Sequence, residues 1–112
     1  MDFPAIKMNE IFGDFILRFR RLEKLMLYIS NGIKLEKMNE RLAGFNMQSH
    51  LLFDKGIIPE NLYISLKQVL YIRNAIVHNT DLSLTLSQIA ECEIFMDEAI
   101  KFLENYINKP LH

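Results

Sequence analysis

The feature that most constrains this chain is a run of apolar residues at helical spacing near its beginning. Phe12, Phe15, Phe19, Leu22, Met26 and Ile29 recur three or four residues apart, which places them on one face of an α-helix. Ile11, Ile16 and Leu25 widen that face. A helix from about Ile6 to Ile29 with so broad an apolar side has to bury it against other elements. Asn31-Gly32 follows, and the expectation is that Gly32 ends the helix by taking the left-handed conformation.

Two further stripes have the same period. Pro59 opens one, at a position where its missing N–H does no harm. Leu62, Leu66, Val69, Ile72 and Ile76 line its buried side to about Val77 or His78, and Asn79-Thr80-Asp81 reads as a turn. The other carries Ile89, Cys92, Met96, Ala99, Leu103 and Tyr106 and ends before Pro110. Thr85 with Gln88, or Ser83 or Ser87 alone, are its candidate caps. Between the first two stripes the pattern is weaker. Leu35, Met38 and Leu42 suggest a short helix stopped at Gly44, and Phe45 to Lys55 another stopped at Gly56. With 112 residues the chain builds one core. Three prolines and four glycines are few for the turns of an all-β fold. The expected architecture is all-α: a single domain over residues 1–112, an up-and-down bundle of four to five helices, three of them long, sharing one core.

The net charge of −1 excludes a surface coated in positive potential, so any nucleic acid must be met by a local basic patch. The lone Cys92 excludes an internal disulfide framework, and no Cys/His pair has zinc spacing. No stretch approaches eighteen consecutive apolar residues, and Met-Asp-Phe-Pro lacks the layout of a secretory signal. The expected setting is the reducing cytoplasm, without a membrane span.

Arg73 stands out because it lies four residues after Val69, beside the apolar stripe of its own helix. A guanidinium there must reach water or find a partner, since an unpaired buried charge is costly. The plain structural alternative is a pair with a carboxylate such as Glu23. Asn74 and His78, four apart, share a helix face. Arg73 and His78, five apart, point roughly 140° away from each other on a regular helix. They converge only if the helix ends or bends near His78, or if a second copy supplies the missing partner.

The segment Arg73-Asn74-Ala75-Ile76-Val77-His78 resembles the signature of the HEPN family, an arginine and a histidine separated by four residues with a polar residue after the arginine. The setting is similar too: the motif closes a long helix in a small helical bundle, with another long helix after it. Phe12 to Leu25 is more loosely similar to the first helices of such domains. The resemblance covers most of the chain as architecture, but its specificity rests on those six residues. It implies a metal-independent endoribonuclease, without cofactor, in which two motifs meet across a homodimer interface. Arg73 would stabilise the scissile phosphate, His78 would move protons during attack by the ribose 2′-hydroxyl, and Asn74 would orient its neighbours. Positioning, a cationic clamp and acid–base help then supply the rate, and imidazoles suit proton transfer because they titrate near neutral pH. The family includes toxin–antitoxin ribonucleases, nucleases of antiviral (phage) defence and the nuclease domains of RNA-targeting CRISPR effectors, so an antitoxin or regulatory protein is an implied further partner. One toxin subgroup has a tyrosine two residues after the histidine; Thr80 stands there in this chain, and the resemblance does not extend to that subgroup. Some family members lack ribonuclease activity, which makes a non-catalytic helical dimer, binding protein or RNA as a regulatory module, the alternative.

Arg18, Arg21 and Lys24 fall three apart on the first helix, with Arg20 nearby. They are the candidate RNA-backbone patch, against the alternative of a solvated face partnered by Glu23. Glu91, Glu93, Asp97 and Glu98 make the outer face of the last helix acidic, an expected surface for solvent or a protein partner. His50 and the terminal His112 carry no distinguishing pattern.

Overall fold

In the computed structural model, which describes residues 5–33, 44–78 and 86–109, the three stripes lie on three long helices joined by one short one. These are α1 (Ala5–Gly32), α2 (Phe45–Asp54), α3 (Glu60–His78) and α4 (Leu86–Ile107). The described residues contain no strand. The expected helix around Leu35–Leu42, the Asn79-Thr80-Asp81 turn and the caps at Ser83 and Thr85 lie outside the described residues. At about 1.5 Å per residue, the 28 residues of α1 span roughly 42 Å, most of the 52 Å long axis of the molecule.

The apolar faces meet in one core. Phe15, Phe19, Leu22, Met26 and Ile29 of α1 pack with Leu62, Leu66, Val69 and Ile72 of α3 and with Ile89, Cys92, Met96, Ala99 and Leu103 of α4. The short α2 adds Phe45 and Leu52. Both α2 and α4 pack against α1 and α3, on opposite sides of that pair, and α1 also touches α3. One residue of the α4 stripe departs from expectation: Tyr106 is 43% exposed, while Ile100 is buried. The buried face continues instead through Ile107, which packs partly buried against the core one position further on.

The salt bridges show the direction of packing. Arg18 pairs with Glu93 and Asp97, and Arg21 with Glu104. The partners advance along α4 as the arginines advance along α1, so these two helices run parallel. The α2–α3 pair is an antiparallel hairpin, with residues 55–59 forming the turn.

That turn shows how the sequence ends a helix here. Gly56 has φ of 72°, its N–H donates to the Phe53 carbonyl at 3.0 Å, and the Ile57 N–H donates to the Leu52 carbonyl at 2.8 Å. This is the paired closure that a left-handed glycine permits, and Ile57 then packs back on the core. Three expected helix ends differ in detail. Gly32 is the last residue of α1, yet the described left-handed glycines are Gly44 and Gly56. Instead, the Ile33 N–H donates to the Ser30 carbonyl at 3.1 Å, a tight final turn that needs no left-handed residue. Pro59 precedes the first helical turn of α3, and its carbonyl accepts the Tyr63 N–H at 3.1 Å. Its ring still costs nothing, because that N–H position has no helical partner. Ser87 falls inside the first turn of α4, not at its cap.

Two glycines give opposite expectations for the same substitution. Gly13 lies in the exposed middle of α1, and an added Cβ meets nothing within 4 Å. Gly13→Ala is expected to raise stability by roughly 0.5–1 kcal/mol, from higher helix propensity. Gly56 has equal space but a left-handed backbone, so Gly56→Ala is expected to lower stability by about 1–2 kcal/mol. Urea midpoints of the two variants check the signs; a Gly56→Ala as stable as the parent would refute the closure described.

Candidate functional site

Helix α3 stays regular through the whole Arg73–His78 segment, and this decides where each side chain goes. Leu62, Leu66 and Val69 are buried, so Arg73, one turn further on, is carried towards α1. Its guanidinium carbon sits 5.3 Å from the centre of the Phe19 ring. Its Nη1 donates to Asn74 Oδ1 at 2.9 Å. Arg73 is half-buried, held by an aromatic face and a side-chain amide, and Glu23 is not its partner. A cation on an aromatic face contributes about 0.5–2 kcal/mol, more as water is excluded. A guanidinium has several N–H donors, and the bond to Asn74 occupies one of them.

His78 is the last residue of α3 and is exposed. With no bend between them, Arg73 and His78 stay roughly 140° apart around the axis. Asn74 stands between the two: it contacts Arg73 and shares the face of His78. One chain therefore presents a fixed arginine–amide pair and a separate exposed imidazole, and it does not aim both at one phosphate.

The basic run on α1 is occupied at Arg18 and Arg21. Arg18 Nη1 donates to Glu93, Arg18 Nε donates to Asp97 at 3.2 Å, and Arg21 donates to Glu104 at 2.7 Å. These pairs are partly exposed and stabilise by no more than about 1 kcal/mol each, but they neutralise the two arginines. Lys24 is exposed, with no ion pair among the described residues. The acidic face of α4 is thus split: Glu93 and Asp97 face Arg18, while Glu91 and Glu98 remain exposed. The role of Glu104 had no local signal, because it depends on how α1 and α4 are aligned.

His50, without a distinguishing pattern in the sequence, joins a small cluster between α2 and α3. Its Nδ1 lies 3.3 Å from the Tyr63 hydroxyl. The Tyr63 ring stacks on Phe53 at 4.6 Å, and Lys67 Nζ stands 4.7 Å from its centre. The signal available was paired spacing: His50 with Phe53, and Tyr63 with Lys67, each share a helix face. The cluster ties the two helices together beside the turn they share. His112 lies outside the described residues, and no three His, Cys, Asp or Glu side chains gather as metal ligands among those described.

Cys92 is buried in the core. Burial pushes its thiol up to about 11, with Glu91 adding to the effect. No described helix is long and apolar enough to cross a membrane. The chain matches no protein-family model, no curated protein and no solved structure.

The raised thiol gives a measurement. Thiolate is the reactive form, so a thiol-directed disulfide reagent at pH 8 is expected to label Cys92 slowly in the folded protein and rapidly after urea unfolding. The unfolded thiol ionises near 9.0 and the folded one near 11. The stability contributed by keeping it neutral is therefore complete below pH 9 and lost as pH rises through 11. Rapid labelling of the native protein would contradict the burial.

Proposed function

We propose that this chain is a metal-independent endoribonuclease of the HEPN type, cutting RNA by attack of a ribose 2′-hydroxyl in a composite site formed by a homodimer. The observation that carries the reading is the arrangement of the six-residue motif on α3. Arg73 is held by Phe19 and Asn74 while His78 stands exposed on another face of the same unbroken helix. Such a motif serves one phosphate only when two copies bring their segments together. In that site Arg73 stabilises the charge of the phosphorane, His78 transfers protons, and Asn74 holds the guanidinium in plane. The reaction makes a 2′,3′-cyclic phosphate and releases a 5′-hydroxyl. The setting this implies is a toxin–antitoxin or antiviral defence system in the cytoplasm, with an antitoxin or regulatory protein as further partner.

A second reading, a non-catalytic HEPN-like dimer that binds protein or RNA, is favoured by one specific observation. Arg18 and Arg21 are paired with Glu93, Asp97 and Glu104, so Lys24 and the neighbouring Arg20 are the members of the α1 run left without an ion pair among the described residues. An RNA-cleaving dimer then draws little affinity from Arg18 and Arg21.

Purified protein incubated with RNA separates the two. Arg73→Ala and His78→Ala are each expected to cost about a hundredfold or more in rate, roughly 3 kcal/mol of transition-state stabilisation. Arg73→Lys should be nearly as damaging, because lysine keeps the charge and loses the planar fork. Asn74→Ala should be milder. Excess EDTA should change nothing, and a 2′-deoxy substitution at the cleaved nucleotide should stop the reaction. Full activity in His78→Ala, or cleavage that requires magnesium, would move the assignment to the non-catalytic dimer.

A further inference from the structure

Between α3 and α4 the surface sinks into a groove of about 360 Å³, within the range of small-ligand sites, which begins at about 300 Å³. Its floor is apolar, formed by the buried side chains of Ile72 and Cys92. The α3 wall carries Gln68 and Tyr71, whose side chain is 62% exposed, and the α4 wall carries Gln88 and Glu91. Lys67 borders the groove as well, but its ammonium lies over the Tyr63 ring, 4.7 Å from the centre. Glu91 forms no ion pair among the described residues, so the uncompensated charge at the rim is negative.

These parts select a ligand by class. Glu91 repels a phosphate or a carboxylate, and a purely aliphatic ligand gains nothing from the carboxamides and the carboxylate at the rim. A flat ring with apolar faces and a hydrogen-bonding edge uses every part, stacking on Tyr71 above the apolar floor while its edge meets the rim. A carboxamide pairs side by side with one donor and one acceptor of a base edge, whereas a carboxylate only accepts. Glu91 therefore favours bases that carry an exocyclic amino group (adenine, guanine and cytosine) over uracil, which has none.

Helix geometry connects the groove to the motif. Tyr71 precedes His78 by seven residues, about 10.5 Å along α3 and within roughly 20° around its axis. The groove thus lies on the His78 side of the helix, away from the side on which Arg73 meets Phe19. A nucleotide flanking a phosphate held near His78 is within reach of it.

We propose that this groove binds one unpaired nucleobase bearing an amino group, stacked on Tyr71 and read at its edge by Gln68, Gln88 and Glu91. A base inside a duplex has its faces and its pairing edge occupied, so the groove takes bases from single strands. That the strand is RNA rests on the ribonuclease reading; the binding of the base does not. Under that reading the enzyme cuts single strands beside adenine, guanine or cytosine in preference to uracil.

Free nucleosides test the groove, since they carry no phosphate for Arg73 to attract. Titration of the full chain with adenosine or cytidine is expected to shift the amide NMR signals of Tyr71, Gln88 and Glu91. Uridine should bind about tenfold more weakly or worse. Tyr71→Ala should weaken adenosine binding by about tenfold or more, with an unchanged helical circular dichroism spectrum as the check on folding. Glu91→Gln, which adds donors at the rim, should narrow the gap between uridine and the other two. Shifts confined to other surfaces, equal binding of all three nucleosides, or a Tyr71→Ala that binds like the parent overturns the groove. Nucleoside binding here by a chain that leaves RNA intact keeps the groove and removes the ribonuclease reading. Cleavage indifferent both to Tyr71→Ala and to the base beside the cut does the reverse.

Discussion

The contact among the Phe19 ring, the Phe45 ring and the Arg73 guanidinium joins three helices at one point. Phe19 and Phe45 stack at 4.6 Å and are both buried, which locks the start of α2 against the middle of α1. The same Phe19 ring receives Arg73 from α3. A buried aromatic pair adds about 0.5–1.5 kcal/mol beyond the area it hides, and a cation on the ring adds a comparable amount. The core and the candidate site therefore share a residue. The position of the charge that would meet a phosphate is set by hydrophobic packing, not by a loop.

That coupling explains why a half-buried arginine is tolerated. The usual solution for a charge beside an apolar stripe is a carboxylate partner, which would neutralise it. Phe19 and Asn74 hold Arg73 without cancelling its charge, so it stays attractive to an anion. Arg18 and Arg21 show the opposite treatment. Glu93, Asp97 and Glu104 take up their charge, and the gain is alignment of α1 with α4. The two treatments contrast within one small domain: Arg18 and Arg21 hold helices together, and the half-buried Arg73 is held with its charge uncompensated by any carboxylate among the described residues.

The four helices were legible in the residues because burial repeats with the helix period, and α1, α3 and α4 each carry that period for several turns. The turn at Gly56 was legible for a local reason, since its left-handed φ is available to glycine at no steric cost. The end of α1 was legible in place but not in kind, because a tight turn at Ser30–Ile33 does the work expected of Gly32. Tyr106 continued its stripe in sequence and yet lies at the surface, because a pattern records which face is apolar and not how far the neighbours reach.

The candidate site divides along the same line. Arg73, Asn74 and His78 were legible as a motif, and their angular separation followed from helix geometry alone. The stack of Arg73 on Phe19 was not legible, because 54 residues separate the two and no local signal records which ring will lie beneath the guanidinium. Nor was the pairing of Arg21 with Glu104, separated by 83 positions. By itself the sequence determined the helices, their buried faces and the chemistry available along α3, since each depends on spacing within a few turns. Only the tertiary structure decided which charges are neutralised and which ring holds Arg73. Those depend on the alignment of one helix against another, and that alignment is set by the packing of all the apolar faces at once.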